Sequence, residues 1–382
     1  MARALGPVRL KKTNPITLLI GGVLCIVIIY FLVASGGAST VSAARNANAA
    51  SHPLSPPTSP FRKTPNHANG KPAPPPPVTR YIMNNITATA HPVENGEHVL
   101  VLSPMVRFYP DYWQNLLRLT YPHELMTLAF ILPKNKEGNA ATAALQEQIT
   151  KTQKFGNDKE RFKSIIILRQ DFEPPLASQD EGERHKLENQ KQRRASMAKA
   201  RNSLLFTTLG PSTSWVLWLD SDIVETPPTL IQDLAQHDKA IVAPNCFQRF
   251  INPDTNKLDE RPYDYNNWQD SATAQEMAQK MGPDDVLFEG YAEMATYRSL
   301  MAFMGTAGDS MHQEVSLDGV GGSALLVKAE VHRDGAMFPP FPFYHLIETE
   351  GFARMARRLG WAATGLPNYR GSLHAQNPSS DH

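Results

Sequence analysis

The chain has 382 residues, enough for one large domain or two of medium size. Its 38 basic and 37 acidic residues nearly balance, which argues against a nucleic-acid partner. Only two cysteines occur, Cys25 and Cys246, and the first lies in an apolar run, so no disulfide is expected in the part of the chain beyond that run.

The N-terminus predicts a membrane anchor. Four basic residues, the last of them Lys12, precede an uncharged run of 19 residues at 16–34, close to the ~20 that a spanning helix needs. The positive-inside rule places residues 1–15 in the cytosol and the rest of the chain on the other side of the membrane. A cleaved signal peptide, cut near residues 41–44, is the alternative, but the run exceeds the usual ~7–15 apolar residues.

Residues 35–96 predict a stem. Ten prolines occur between Ser51 and Arg80, and such a composition cannot bury a core and favours an extended chain. The stem contains Asn85, in the only N-x-S/T sequon of the chain, and a position beyond the anchor makes it a candidate glycosylation site.

An α/β domain is predicted over residues 97–382. Strand patterns alternate with helix patterns, which indicates a mostly parallel sheet with right-handed crossovers. The strand patterns lie at 98–102, 125–132, 163–168, 215–219, 240–243 and 323–328, and helices are expected at 140–154 and 184–208. The glycine-rich run at 318–322 precedes a strand rather than a helix, so it is a poor dinucleotide-binding fingerprint.

The stretch WVLWLDSDIVET at 215–226 is the first candidate site. Asp220 and Asp222 follow an apolar run that is typical of a strand buried on both faces, and ligands of open α/β sheets bind at that end. Two neighbouring carboxylates repel each other unless a cation lies between them, and Mg²⁺ or Mn²⁺ suits oxygen ligands and substrate phosphates. This is the chemistry of the D-x-D motif of nucleotide-sugar glycosyltransferases. An Asp-rich turn that caps the next helix is the alternative.

Two arginines on the long predicted helix are candidates for anion binding. Arg194 and Arg201 are seven residues apart and therefore share one helix face. That face either presents guanidinium groups to a diphosphate or is a solvated surface stripe.

Two further groups lie near the C-terminus. Glu348 and Glu350 begin a helix for which Thr349 is the expected N-cap and Gly360 the stop, and the positive helix end favours ionised carboxylates that bind sugar hydroxyls or a cation-like sugar. Alternatively, Glu348 and Glu350 bind no ligand, and their negative charge only stabilises the positive end of the helix dipole. His374 is either solvent-exposed or a third metal ligand.

Seven segments, taken in order, resemble one family. They are YPHELMTLAF, RRASMAKARNSLL, WVLWLDSDIVETPPTLIQDL, EGYAEMATYR, DGVGGSALLVKAEVHR, IETEGFARMARRLGW and GLPNYRGSLH. They are similar to the fungal Golgi α-1,6-mannosyltransferases of glycosyltransferase family 62, the subunits of mannan polymerase complexes, and most of all to the vanadate-resistance type. The resemblance runs from about Val99 to His374.

The resemblance implies a GT-A fold, GDP-mannose as donor, Mn²⁺ as cofactor and transfer to the mannan backbone of N-glycans with retention of configuration. It also implies a single-pass type II protein of the Golgi membrane, with a luminal catalytic domain and other mannan polymerase subunits as partners. Asp220 and Asp222 would then bridge metal, ribose and diphosphate, and His374 would complete the metal site.

The resemblance also implies roles for residues outside the aspartate pair. Acidic residues of shared segments would lie near the sugar and the acceptor: Asp318, Glu289, Glu348 and Glu350. Ser103 and Pro104 match a turn near the nucleotide. Two other functions stay open, namely a structural subunit that supports a catalytic partner, and a transferase that uses another donor such as GDP-fucose or UDP-galactose.

Overall fold

A computed structural model of the chain describes residues 78–171, 187–291, 293–306, 308–369 and 374–375, with the backbone alone for 187, 188, 374 and 375. The predicted anchor at 16–34 and most of the predicted stem lie outside these residues. Among the helices that are described, none is both long and apolar enough to cross a membrane. The chain divides into two compact units, 1–79 and 80–382, and every described element belongs to the second.

The described elements alternate between strands and helices along the first half of the unit. The strands are β1 (His98–Pro104), β2 (Met126–Leu132), β3 (Ser164–Arg169), β4 (Thr213–Leu219), β5 (Ile223–Glu225), β6 (Ile241–Pro244), β7 (Phe247–Ile251), β8 (Leu258–Pro262), β9 (Trp268–Gln269), β10 (Ser299–Leu300), β11 (Val315–Leu317), β12 (Ala324–Lys328), β13 (Ala363–Leu366) and β14 (His374–Ala375). The α-helices are α1 (Pro110–Arg118), α2 (Lys136–Thr150), α3 (Leu187–Thr208), α4 (Leu230–Ala235), α5 (Ala272–Lys280), α6 (Ala329–Arg333) and α7 (Glu348–Arg358).

An eight-stranded sheet with the order β11-β13-β6-β12-β4-β1-β2-β3 forms the centre of the unit. Strand β1 is parallel to β2 and β4, β2 is parallel to β3, and β6 is parallel to β13. Parallel neighbours require crossover connections, and α1, α2 and α3 supply them. Only β12 and β11 run antiparallel to their neighbours, so the predicted mostly parallel sheet is confirmed.

The core lies on both faces of this sheet. All seven residues of β4 are buried, as the uninterrupted apolar run predicted. Because side chains alternate along a strand, Trp215 and Leu217 join the apolar layer that contains Trp113, whereas Val216 and Trp218 join the opposite layer. Cys246 is buried, with 1% of its surface exposed.

Two helix starts differ from the prediction. Helix α2 begins at Lys136 rather than at 140, because the side chain of Asn135 accepts a hydrogen bond from the Gly138 amide at 2.8 Å and caps the helix. Thr349 is not the N-cap of α7, since the cap position is Ile347 and no side chain caps that helix.

The end of α7 follows the prediction. Gly360 has a φ of 93°, a left-handed conformation that glycine adopts without a steric cost. The helix therefore stops there, and the chain continues into β13, which pairs with β6 in parallel.

A second, four-stranded sheet has the order β5-β14-β7-β8. Its first strand begins directly after Asp222, so this sheet adjoins the end of β4. Residues 80–96 of the predicted stem belong to the same unit as the sheet and contact its core, because Ala88 and Val93 pack against it and the Thr89 amide donates to Glu97 at 3.0 Å.

Candidate active site

A cleft of about 630 Å³ opens beyond the end of β4. Most of its lining side chains are polar or charged. The charged ones are Arg107, Arg193, Arg194, Arg201, Asp220, Asp222, Arg261, Asp264, Glu289 and Glu348. The structure therefore brings six of the predicted site residues together in one cleft: Asp220, Asp222, Arg194, Arg201, Glu289 and Glu348.

Asp220 lies at the first position after β4, where its amide donates to the Ser323 carbonyl at 3.0 Å. Its carboxylate oxygens accept from Nη2 of Arg201 at 2.9 and 3.1 Å, and 25% of the side chain stays exposed to the cleft. Desolvation raises the pKa of Asp220 to about 7, with Asp222 and Glu348 adding to the rise and Arg201 opposing it. An added cation would favour the ionised form of both aspartates.

One carboxylate oxygen of Asp222 has a hydrogen-bond partner and the other has none among the described residues. Its Oδ2 accepts from the Tyr263 hydroxyl at 2.5 Å, whereas its Oδ1 is buried and has no hydrogen-bond partner among the described residues. Burial raises the pKa of Asp222, and the hydrogen bond from Tyr263 opposes that rise. An unpartnered carboxylate oxygen beside a second carboxylate fits a hard divalent cation.

The third predicted metal ligand lies at the limit of what is described. The backbone of His374 forms part of β14, where it pairs with Glu225 of β5 and Phe247 of β7. Its side chain is outside the described residues. Within the described part of the chain, no three histidine, cysteine or acidic side chains form a group that could hold a metal ion.

Arg201 is the most buried charged group of the cleft, with only 2% of its surface exposed. Its Nε donates to Glu348 at 3.0 Å, and its guanidinium carbon lies 5.5 Å from the ring centroid of Trp218. Its Nη1 is buried and has no partner among the residues that the structure describes. These contacts hold the guanidinium in one orientation and leave one donor for a ligand.

Arg194 lies on the same helix as Arg201, α3, and also lines the cleft. Its Nη1 donates to Glu350 at 2.6 Å and its Nη2 donates to Asn266 at 2.9 Å. Both arginines are buried and line the cleft, so the alternative of a solvated surface stripe is wrong.

The two glutamates of α7 occupy different places. Glu348 lines the cleft and has a φ of 55°, which is uncommon for a residue other than glycine and is found at functional sites where the surroundings enforce it. Glu350 is fully buried behind the cleft wall, where it accepts from Arg194 and, at 2.8 Å, from Nε1 of Trp268. Only the first can reach a ligand in the cleft.

Three other predicted residues lie outside the cleft lining. Asp318 accepts from Arg357 and from the Asp270 amide. Ser103 is fully buried and shares a hydrogen bond with the Tyr112 hydroxyl at the end of β1, and Pro104 follows it.

Glu289 and Asn85 complete the predicted set. Glu289 lines the cleft and accepts from Arg298 at 2.6 Å and from Thr296 at 2.8 Å. Asn85 is exposed in a short 3-10 turn, Met83–Asn85, and the hydroxyl of Thr87 in its sequon donates to Glu97 at 3.2 Å.

The prediction missed the loop after β8. Tyr263, Asp264 and Tyr265 all line the cleft, and Asp264 is buried, with Oδ1 accepting from the Asn266 amide at 3.0 Å. The glycine-rich run at 318–322 indicates that another group packs closely against its backbone, and that group is Asp264. A Cβ on Gly321 would overlap the carboxylate of Asp264. Glycine before a strand indicates a close approach of another group to the backbone.

The mostly parallel sheet, with a cleft of paired aspartates and buried arginines at the end of a central strand, defines an α/β domain with a candidate ligand site at the carboxyl edge of its sheet. A family model described as Anp1 matches residues 77–342. The chain belongs to the Anp1 family.

Two of the similar proteins are named as mannan polymerase complex subunits. The chain is 53% identical over 293 residues to mannan polymerase complex subunit MNN9 of Candida albicans, covering 76% of this chain and 78% of that protein. It is 55% identical over 290 residues to mannan polymerase complex subunit mnn9 of Schizosaccharomyces pombe, covering 76% and 83%. The predicted relation to fungal mannan polymerase subunits is confirmed.

The vanadate-resistance relatives are more distant than the resemblance implied. The vanadate resistance protein of Candida albicans is 32% identical over 355 residues, covering 80% of this chain and 79% of that protein. Among solved structures, the chain is similar to the mannosyltransferase PcManGT from Pyrobaculum calidifontis in complex with GDP-Man and Mn²⁺, with a TM-score of 0.37 and 11% identity over 73% of this chain and 56% of that chain. That likeness is too distant to indicate what this chain binds.

Proposed function

We propose that the chain is a Mn²⁺-dependent, GT-A type α-1,6-mannosyltransferase. It transfers mannose from GDP-mannose to the mannan backbone of N-glycans and retains the configuration at the sugar. Support comes from the family, from relatives that are named as mannan polymerase complex subunits, and from the charged cleft at the end of β4.

One observation carries the proposal. Within the described residues, Asp222 Oδ1 and Arg201 Nη1 are both buried without a hydrogen-bond partner, and both side chains line the same cleft. Each such atom costs about 1–3 kcal/mol unless a ligand satisfies it. An unpartnered acceptor and an unpartnered donor on residues that line one cleft fit a ligand that brings a cation and an anion together, as a metal-bound diphosphate does.

The residues of the cleft then have distinct tasks. Asp220 and Asp222 would hold the metal ion, which supplies positive charge that stabilises the departing diphosphate. Arg201 is already oriented by Asp220 and Glu348, so it presents Nη1 to the phosphate without reorganisation. Glu348 places negative charge in the cleft, where a cation-like sugar would be stabilised.

The proposal includes location and partners. Residues 16–34 would anchor the chain as a single-pass type II protein of the Golgi membrane, with the domain in the lumen and Asn85 exposed there to glycosylation. Other mannan polymerase subunits would assemble with it, because its relatives are named as subunits of such complexes.

Replacement of Asp222 tests the proposal. Asp222→Asn keeps the shape of the side chain but removes the charge, so mannose transfer should fall at least about 100-fold and GDP affinity in the presence of Mn²⁺ should fall in parallel. Asp254→Asn, on an exposed aspartate of the β7–β8 hairpin, is the matched control and should leave both unchanged. Full activity of Asp222→Asn with unaltered thermal unfolding would contradict the proposal.

A structural, non-catalytic subunit is the second candidate, since the names of the relatives describe subunits of a complex rather than an activity. The same Asp222→Asn variant, assayed in the purified complex, separates the two candidates. Unchanged transfer by the complex would favour the structural subunit, whereas a loss assigns the reaction to this chain. Titration with GDP-mannose, GDP-fucose and UDP-galactose identifies the donor.

A further inference from the structure

The glycine-rich run at 318–322 packs against a buried indole. Trp268 is 1% exposed, its amide donates to the Gly319 carbonyl at 3.2 Å, and the Gly319 amide donates back to the Trp268 carbonyl at 3.1 Å. A Cβ on Gly319 would overlap the indole ring. The ring therefore lies directly on the glycine backbone, and only glycine leaves room for it.

The edge of the indole is connected to one wall of the cleft. Nε1 of Trp268 donates to Glu350 Oε1 at 2.8 Å, and Glu350 Oε2 accepts from Nη1 of Arg194 at 2.6 Å. Glu350 is fully buried, and these two donors occupy its two oxygens. A buried carboxylate that loses one donor must find another, and rotation of Glu350 would release Arg194.

The face of the indole is connected to the other wall. The guanidinium carbon of Arg298 lies 3.7 Å from the ring centroid of Trp268, a close cation–π contact. Nη1 of Arg298 donates to Glu289 at 2.6 Å, and its Nε donates to Asp270 at 3.0 Å. Both Glu289 and Arg194 line the cleft, so one ring supports two charged groups that a ligand would meet.

We infer that Trp268 is a positioning residue, which fixes Arg194 through Glu350 and Glu289 through Arg298. This inference deepens the proposed transferase function and rests on it. It also assigns Glu350 to positioning, because that carboxylate is fully buried behind the cleft wall.

The test begins with Trp268→Phe. Phenylalanine keeps a ring beneath Arg298 but removes the N–H that Glu350 accepts, so Arg194 loses its orientation while Glu289 keeps its own. We expect the Kd for GDP in the presence of Mn²⁺ to rise about tenfold, the loss typical of one hydrogen bond to a charged group. Trp268→Leu also removes the contact with Arg298 and should reduce mannose transfer further than Trp268→Phe does.

Two comparisons separate positioning from general stability. Gly319→Ala drives a methyl group into the indole and should reproduce the tenfold loss. Gly210→Ala, where a Cβ meets only an ordinary contact with Thr213 at 3.8 Å, is the matched control and should change nothing. In an Arg194→Ala background, Trp268→Phe should add no further loss of GDP affinity, because groups that act through one another are not additive.

The outcomes are distinguishable. If the losses of Trp268→Phe and Arg194→Ala multiply, the indole acts on overall stability and the positioning role is overturned, while the proposed function stands. If the unaltered chain shows no affinity for GDP in the presence of Mn²⁺, the proposed function fails, and the positioning role is overturned with it.

Discussion

The hydroxyl of Tyr263 is the contact that orients Asp222 in the cleft. It donates to Oδ2 at 2.5 Å, so Oδ1, which is buried without a partner among the described residues, is the oxygen left for a ligand. Asp220, two residues earlier, is held instead by Arg201. Each aspartate of the pair therefore has a different partner, and their geometry depends on two separate parts of the chain.

Removal of that hydroxyl should weaken the site without unfolding the domain. Tyr263→Phe retains the ring, which packs against the core, and loses a hydrogen bond to a charged acceptor, worth about 1.5–3 kcal/mol. We expect GDP affinity in the presence of Mn²⁺ to fall at least tenfold by isothermal titration calorimetry. Tyr81→Phe, on a tyrosine that is 60% exposed, is the control. Equal affinities of the two variants would refute the role given to Tyr263.

A buried histidine makes stability depend on pH. His332 contacts the Ala336 carbonyl through Nδ1 at 2.8 Å and accepts from Nε1 of Trp218 at 3.2 Å. Desolvation lowers the pKa of His332 from 6.5 to about 4. Between these two values the unfolded chain binds more protons than the folded one, so stability falls as the pH falls.

Denaturant unfolding at pH 7 and pH 5 measures this effect. His332 should account for a loss of about 2 kcal/mol in the free energy of unfolding between these pH values. His332→Gln should remove that part of the pH dependence, whereas His91→Gln, on an exposed histidine, should retain it. An unchanged pH dependence in His332→Gln would show that the histidine is not responsible.

At the scale of elements, the segment before β1 is attached to the domain by one buried carboxylate. Glu97 accepts from Nε1 of Trp215 at 2.8 Å, from the Thr89 amide at 3.0 Å and from the Thr87 hydroxyl at 3.2 Å. The Tyr121 hydroxyl also contacts the Pro92 carbonyl at 3.2 Å. Residues that a proline-rich composition assigned to the stem are therefore part of the packed structure.

Truncation tests this attachment. A chain that begins at residue 97 loses these hydrogen bonds and the packing of Val93, so its free energy of unfolding should be lower by roughly 2–4 kcal/mol than that of a chain beginning at residue 80. A chain that begins at residue 86 removes only exposed side chains such as Ile82 and should match the longer one. Equal stability of all three would show that the segment contributes nothing.

At the scale of the whole molecule, the cleft is assembled from distant parts of the sequence. Arg201 comes from α3, Asp220 follows β4, Tyr263 follows β8, and Glu348 begins α7. The mostly parallel sheet makes this assembly possible, because the carboxyl ends of β1 and β4 lie at the same edge. Ligands of such sheets bind at that edge for the same reason.

The sequence by itself determined the alternation of strands and helices, the buried β4 and the place of the aspartate pair, because apolar runs and their ends are local properties of the chain. Only the tertiary structure decided that Glu348 faces the cleft and Glu350 does not, since residues two apart on a helix point in different directions and packing selects between them. It also decided the roles of Tyr263, Asp264 and Trp268, which have no local pattern. The roles of these three residues depend on their contacts with residues distant in the sequence, and those contacts form only when the chain is folded.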